Sequence, residues 1–461
     1  SAVGPALGGF LTEAFSWQAM FVLQAPVALV ALLALRGAAG SGAAPAAGGD
    51  RPALAPLIAL ALASAALSAA LFLLVIMLIE GWRHTPGEAA LTVTVMPIAA
   101  LAAGGWARSR SRQGLAPALA GCVLVAGGLA ALGLLPRAHA VWTLVPQLAI
   151  GLGLGLALAT LIRATVGVEG AVARPAAWTV CARHIGIVIG LLVLTPLFTA
   201  DLQNVAGPGE RAGLARVLDA PLGLGAKIAV ARSLGGQIDR SSKQLPDVDR
   251  AFAEARVPAS ERPAAGRLRA GLDDELDRAA TKAFSRSFLA AALIALLAAG
   301  AVALAGRRDP ARPRGEPSTN GSPLASGSPP AVALPAAAAL AALLVAVYVL
   351  LGGGGYGPTA LRDPCAPRAR PAVDRTQLVA LAALDGTACK LHVTREELAR
   401  GLLAGRAPAG VSDDELAGAL GAGLDRAQAE GALGGLAATV LRATLKVGGA
   451  LGLIGLLLRG S

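Results

Sequence analysis

One apolar run of the sequence contains two adjacent titratable side chains, Arg183 and His184. The run extends from Ala177 to Phe198, and most of its other residues are apolar. A charged side chain inside a membrane span costs about 2.5–3.5 kcal/mol on insertion scales, so it usually faces a cavity or a polar partner. A histidine changes its charge near neutral pH. The pair could therefore hold a counter-charge or carry a proton within a membrane.

Two interpretations of these residues stay open. Arg183 either meets a polar partner inside the protein or extends its long side chain to the nearer membrane surface, about two helical turns away. His184 is either a proton carrier or a hydrogen-bonded structural residue. Substitution of Arg183 by lysine separates the first two cases, because a side chain that reaches the surface tolerates lysine and a paired guanidinium does not.

Other polar residues stand alone in apolar runs and either line a cavity or bond across helices. They are Gln24, Gln147, Thr160 and Thr179. The sequence contains no H-E-x-x-H, G-x-x-x-x-G-K-[ST] or G-x-S-x-G pattern, and it has four histidines. We expect no enzyme activity, no metal site and no bound cofactor. No basic patch with interleaved aromatic residues suggests nucleic acid as a partner.

The composition is typical of a multi-pass membrane protein. The 461 residues are 55% hydrophobic and 15% charged, with a mean hydropathy of +0.63. Apolar runs long enough to cross a bilayer recur, and only helices can satisfy the backbone of such runs. Two helices are predicted within residues 2–35, and further spans at Leu54–Ile79, Glu88–Gly105, Leu115–Leu135, Val141–Ile162, Ala177–Phe198, Phe284–Ala305 and Ala331–Leu351.

The arginines in short loops predict which ends of these helices face the cytoplasm. One side has Arg36, Arg51, Arg108, Arg110, Arg112, Arg163, Arg174, Arg307, Arg308, Arg312 and Arg314, and the other has Arg83 and Arg137. The first side is therefore predicted to be cytoplasmic, in a cell membrane. Residues 200–282 and 353–440 are then extracytoplasmic.

The segment 200–282 is polar, and we expect its prolines to break it into pieces. These prolines are Pro208, Pro221, Pro246, Pro258 and Pro263. Its last part, 260–283, has helical spacing of apolar residues and is predicted to continue directly into the span that begins at Phe284. A Pro/Ser/Gly-rich linker, 307–330, precedes the last predicted span.

Two further features concern the extracytoplasmic residues after that span. Cys365 and Cys389 are predicted to form a disulfide, because a cysteine pair in an oxidising compartment usually does. Thr394 and Ser412 each precede a glutamate by three residues, which is the capping-box pattern of a helix start. We therefore expect a small helical domain. Its last piece, 433–458, is expected to be a helix that packs on the domain or lies at the membrane interface; the alternative is one more span.

Several stretches resemble the major facilitator superfamily, specifically its proton-coupled multidrug exporters. Gly4-Pro5-Ala6-Leu7-Gly8-Gly9 is similar to the G-P-x-x-G-G signature of that family's fifth helix. GWRHTPGEAALTVTVMP, residues 81–97, resembles the entry to the eighth helix. Cys181–Gly190 resembles A-R-Q-x-G-x-x-x-G of the eleventh helix, with His184 in place of glutamine. AFSRSFLAAAL, from Ala283, is similar to the entry of the last helix.

The resemblance implies an all-α membrane bundle in which helices 5 to 12 are visible, with four helices expected upstream of Ser1. Its parts are the end of the N-terminal bundle (1–36), a cytoplasmic linker (37–54), a six-helix bundle (55–306) that includes the loop 200–282, a second linker (307–330), an extra transmembrane helix (331–352) and an extracytoplasmic helical domain (353–461).

The resemblance also implies roles for single residues. Gly4, Pro5, Gly8 and Gly9 would shape the contact between the two bundles and limit ion leak; the alternative is ordinary small-residue packing. Arg183 would pair with a carboxylate or with carbonyls during the inward–outward switch. The loop Arg108–Gly114 lacks the aspartate of the family's gating loop, so it is interpreted as a topology anchor.

The function implied is secondary active transport: efflux of lipophilic small molecules such as drugs, in exchange for protons moving inward, as in drug-resistance antiporters. The partners are then the substrate, protons and the lipid bilayer, with the proton gradient in place of a cofactor. The alternative is a scaffold or sensor that transports nothing and whose domain 353–461 binds an extracytoplasmic protein.

Overall fold

The computed structural model describes residues 10, 12–15, 26, 29, 30, 33, 53–109, 114–166, 173–240, 246–307, 330–367 and 375–445. These residues form helices, turns and loops, with no strand among them. The helices are α1 (Leu54–Ile76), α2 (Pro86–Val93), α3 (Val95–Ser109), α4 (Ala116–Gly133), α5 (Val141–Val166), α6 (Ala173–Asp219), α7 (Leu224–Arg240), α8 (Val248–Ala255), α9 (Arg262–Arg307), α10 (Pro330–Leu350), α11 (Arg375–Leu391), α12 (Arg395–Leu403), α13 (Asp413–Ala429) and α14 (Gly435–Leu445). A π-helical turn, Met77–Gly81, continues α1.

Seven helices in the described part of the chain are long and apolar enough to cross a membrane. They lie at Leu54–Gly81, Pro86–Ala107, Ala116–Gly133, Val141–Val166, Pro175–Asp219, Ala259–Arg307 and Ala333–Leu350. Each overlaps one span predicted after residue 53. The prediction of an all-helical membrane bundle is confirmed at this level, and the apolar side chains exposed on these helices are those that hydrocarbon would cover.

The chain divides into two compact units. One, the bundle unit, contains Ser1–Asn204 and Ala280–Gly357, and the other, the polar unit, contains Val205–Ala279 and Pro358–Ser461. The sequence analysis assigned 200–282 to the bundle and 353–461 to a separate domain. The structure instead combines most of both segments in one folded body.

Close packing of small residues holds the bundle unit together. A side chain added at Gly151 or Gly155 of α5 would collide with the backbone of α3, and one added at Gly153 would collide with α4. Small residues allow membrane helices to approach closely where the hydrophobic effect cannot bring them together. The extra helix α10 is attached in the same way, because Ala341 lies directly against Gly127 of α4.

The polar unit is built from the ends of two long helices and the C-terminal segment. Its first core contains Leu222, Val230, Val248 and Leu268, and a second contains Leu398 and Leu416 among others. Both predicted capping boxes are present: the hydroxyls of Thr394 and Ser412 accept N–H groups of Glu397 and Glu415, whose carboxylates accept the N–H of the cap residue.

The predicted break at Pro208 is wrong, because α6 continues through it to Asp219. A proline inside a helix removes one backbone hydrogen bond and usually kinks or ends the helix. Here the turns beyond Pro208 are stabilised by neighbours, since Arg216 of α6 is 2.7 Å from the buried carboxylate of Glu275 on α9. Pro263 stands in the first turn of α9, where proline is favourable. The prediction that the helix of the polar segment continues directly into the span that begins at Phe284 is confirmed, because α9 is one helix from Arg262 to Arg307.

Candidate functional site

The residues that the sequence singles out for transport lie on α6. One face of this helix packs on α1 through Gly186 and Gly190; a Cβ at Gly190 would lie 3.0 Å from the Cα of Ala65, and one at Gly186 would collide with the backbone of Ala61. Glycines four residues apart recur on one helix face and permit such close contact. This contact fixes the rotation of α6 about its own axis.

Arg183 and His184 are exposed within the described residues. The Nδ1 atom of His184 is 2.9 Å from the carbonyl oxygen of Val180, one turn earlier in the helix. Their neighbours on the exposed surface of α6 are large and apolar, including Trp178, Val188 and Leu192. Of the apolar window of α6, 22% is buried, against 72% for α4. The structure thus places both candidates on one of the two least covered membrane-length helices among the described residues, the other being α10.

The other polar candidates that the structure describes, Thr179, Gln147 and Thr160, are buried. Thr179 of α6 donates to the hydroxyl of Thr165 on α5 at 2.9 Å, which is a bond across two helices. Gln147 is fully buried and donates to Thr143 at 2.9 Å within α5, while its carbonyl oxygen Oε1 has no hydrogen-bond partner. The hydroxyl of Thr160 is likewise buried without a partner. Unpartnered buried polar atoms are rare and mark positions where a ligand or water would find a bond.

Some predicted positions lie outside the described residues. These are Gly4, Pro5, Gly8, Gly9 and Gln24, most of both linkers, and the end of the segment 433–458. The described part of that last segment is the short apolar helix α14.

Sequence reasoning missed one residue of the bundle unit, Asp201 on α6. It follows the predicted span by three residues and falls at the start of the segment interpreted as a polar loop. Because α6 does not end there, its carboxylate is buried, with Oδ1 3.4 Å from Nη1 of Arg286 on α9. No local pattern of the sequence marks it, because its ion pair is with a residue of another helix, Arg286 of α9.

The polar unit contains the predicted disulfide and a charged contact that the sequence did not suggest. Cys365 and Cys389 are bonded, with their Cα atoms 5.0 Å apart. Arg395, at the start of α12, contacts both oxygens of Asp219 on α6 at 2.7 Å and one oxygen of Glu396 at 2.6 Å. Burial alone would lower the pKa of the Arg395 guanidinium, but these two carboxylates reverse the effect and raise it.

Two more ion pairs join the same helices. Arg211 contacts Glu397 at 2.7 Å, and Glu210 contacts Arg400 at 3.1 Å. Asp219, Arg211 and Glu210 belong to the end of α6, and their partners belong to α12. Each of these charged residues at the end of α6 therefore faces a residue of opposite charge on α12. These ion pairs hold the end of α6 and the C-terminal segment together.

Comparisons of the chain with protein-family models, with curated proteins and with solved structures find no match.

Proposed function

We propose that this chain belongs to a secondary active transporter of lipophilic small molecules, which works by alternating access and is driven by protons. The observation that carries the proposal is a charged residue, Arg183, on an exposed face of the membrane-length helix α6. In transporters built from two bundles that rock, the substrate and ion sites lie where the bundles meet, near the membrane midplane. The sequence resemblance to proton-coupled exporters of the major facilitator superfamily supports the same function.

The proposal also needs α6 to be firmly packed in its own bundle, and the opposite face of the helix provides this packing. Its glycine contact with α1 makes α6 part of a packed bundle, so that a charge on its free face could exchange partners without unfolding its own bundle. Charged residues within membrane spans usually mark substrate or ion pathways. In the proposed cycle, Arg183 changes its polar partner as the bundles rock, and His184 stands next to it.

The test is proton movement driven by a lipophilic cation, tetraphenylphosphonium, in vesicles that contain the full-length gene product. We expect flux in the parent protein and its loss in Arg183→Lys, because lysine cannot reproduce the planar set of donors of a paired guanidinium. Arg137→Lys, the same change in an exposed loop residue, is the matched control and should keep full flux. Unchanged flux in Arg183→Lys would show that Arg183 has no paired role in transport and only extends its side chain to the membrane surface.

A second candidate function is a membrane scaffold or sensor whose polar unit binds an extracytoplasmic protein. The three ion pairs between the end of α6 and α12 favour it, because they make this unit a defined folded body. This function is favoured over transport if no lipophilic ion produces flux in the parent protein and if binding of the extracytoplasmic protein is the same in Arg183→Ala as in the parent.

A further inference from the structure

A narrow groove lies between the first half of the extra helix α10 and the rest of the bundle unit. Its volume is about 160 Å³, and residues of α3, α4, α5 and α10 line it. The α4 wall contains Pro117, Ala120 and Leu124, which recur on one face of that helix. All of the lining side chains are apolar, apart from the indole N–H of Trp106. Apart from that indole, the groove therefore has no side-chain group that could bond a polar ligand.

The second half of α10 is attached firmly to the bundle, and the groove lies beside the first half. Ala341 of α10 lies directly against Gly127 of α4, and the hydroxyl of Tyr348 donates to the carbonyl oxygen of Trp142 on α5. Membrane helices associate largely through van der Waals packing, so empty space beside a helix weakens its attachment. An apolar group in the groove would therefore complete the packing of α10. The α10 residues that line the groove are Ala333, Ala336, Ala337 and Leu340.

The size and position of the groove favour a hydrocarbon chain as its occupant. Pockets for drug-sized ligands are usually about 300–1,000 Å³, so this groove is too small for such a ligand. A single acyl chain is narrow, and it needs no hydrogen bond from its surroundings. At the rim, Trp106 is 45% exposed and Leu340 is 60% exposed, and both belong to helices long and apolar enough to cross a membrane. A lipid chain of the bilayer can therefore enter the groove from the side.

A guanidinium group lies next to one end of the groove. Nη2 of Arg163, on α5, donates to the carbonyl oxygen of Ala107 at 3.0 Å, and Ala107 directly follows Trp106 in α3. Arg163 also lies two helical turns beyond Leu156, the lining residue of α5, so the two share one face of that helix. Guanidinium groups bind phosphate oxygens through several donors at once. The end of the groove at Trp106 therefore has a cation suited to a phosphate group.

The charges described in the bundle unit favour an anionic lipid at this end. Arg163 near the end of α5 and Arg307 at the end of α9 both lie at the end of the bundle where α4 and α10 begin. Basic residues at the ends of spans attract anionic headgroups. The carboxylates that the structure describes in this unit lie toward the opposite end of the bundle: Glu13, Glu80, Glu88 and Asp201.

We propose that this groove binds one acyl chain of an anionic glycerophospholipid and that Arg163 binds the phosphate of the same lipid. The chain fills the space between α10 and the bundle, and so completes the packing of a helix whose apolar window is 17% buried. The headgroup lies beside Trp106, at the predicted cytoplasmic end of the helices. The lipid site requires no transport step and is independent of the proposed function.

The test uses lipids with brominated chains, which quench tryptophan fluorescence on contact. The purified full-length protein is placed in phosphatidylcholine vesicles with increasing fractions of brominated phosphatidylglycerol or, in parallel, of brominated phosphatidylcholine with the same chains. The difference between the parent and Trp106→Phe isolates the signal of Trp106. We expect half-maximal quenching of Trp106 at an about fivefold lower fraction of the anionic lipid, the effect of one basic residue near an anionic headgroup. Equal quenching by the two lipids overturns the proposal.

Two variants of α10 test whether the chain occupies the groove. Ala336→Phe fills the groove, because Ala336 lines it. Ala338→Phe is the matched control, since Ala338 is exposed on the same helix and is not among the lining residues. Quenching of Trp106 by brominated phosphatidylglycerol should fall in Ala336→Phe and stay at the parent's level in Ala338→Phe. Unchanged quenching in Ala336→Phe overturns the proposal, as does displacement of the lipid by tetraphenylphosphonium, which would make the groove a substrate site.

Arg163→Gln tests the headgroup contact without filling the groove. The preference for phosphatidylglycerol should fall about fivefold, while quenching by brominated phosphatidylcholine persists. Arg163→Lys keeps the charge and should keep most of the preference. Arg137→Gln, at an exposed residue of the opposite end, is the control and should behave as the parent. An unchanged preference in Arg163→Gln overturns the proposal, and this result holds even if Ala336→Phe fails to fold.

Discussion

Substitution of Arg395 by alanine should open α12 locally in the polar unit. Arg395 is 2% exposed and lies between two carboxylates of different environment: Asp219 is 42% exposed, while Glu396 is fully buried. In Arg395→Ala, Asp219 can regain water at little cost. Glu396 cannot, and it is left as a buried charge whose Oε2 already lacks a hydrogen-bond partner. The cost of the substitution thus comes mainly from Glu396.

The magnitude follows from the cost of leaving one partner of a buried ion pair alone, which is about 3–5 kcal/mol. Because Asp219 is partly exposed and can be solvated after the substitution, we expect a loss of stability near the lower end of this range, about 3 kcal/mol. A loss of that size raises the equilibrium constant for local opening roughly 100-fold. The matched control is Arg400→Ala on the same helix: Arg400 and its partner Glu210 are both partly exposed, so its loss should cost under about 1 kcal/mol.

Amide hydrogen exchange of the full-length protein in detergent measures this local opening directly. Backbone amides of α12 should exchange roughly 100-fold faster in Arg395→Ala and nearly at the parent rate in Arg400→Ala. The double variant Arg395→Ala with Glu396→Gln should recover much of the protection, because it removes the buried charge as well. Equal exchange in the single and double variants would refute the reasoning that the buried carboxylate causes the loss.

Three further predictions concern the disulfide, the glycine packing and a helix cap. Cys389→Ser should destabilise the polar unit by about 3 kcal/mol through the lost cross-link, measured by amide exchange, and non-reducing gels of the parent should show no free thiol at this position. Gly153→Leu should prevent stable folding of the bundle, since α4 leaves no space for a side chain, whereas Gly300→Ala, with open space around it, should keep the parent's melting temperature. The hydrogen bond from the backbone N–H of Ser412 lowers the pKa of Glu415 from its ordinary value of 4.5. The ionised carboxylate therefore stabilises α13 fully when the pH is above 4.5, and this contribution is lost as the pH falls through the lowered pKa. In thermal melts, Glu415→Gln should make the melting temperature less dependent on pH in this acid range.

The sequence by itself determined the membrane helices and the local starts of helices in the polar segments. Span length and apolar composition are properties of contiguous residues, because each spanning helix must satisfy its own backbone. The capping boxes at Thr394 and Ser412 are equally local, since each involves residues three apart. For the same reason the continuation from the polar segment into α9 could be predicted from spacing alone.

Tertiary structure decided what the remaining segments form. Whether α6 ends at Pro208 depends on Arg216 finding Glu275 on another helix, and the polar unit depends on Arg395 finding Asp219, 176 residues away along the chain. Asp201 has the sequence surroundings of a loop residue, and its burial follows from helices that pack around it. Burial and ion pairing are properties of residues distant in sequence, so no local pattern could have revealed them.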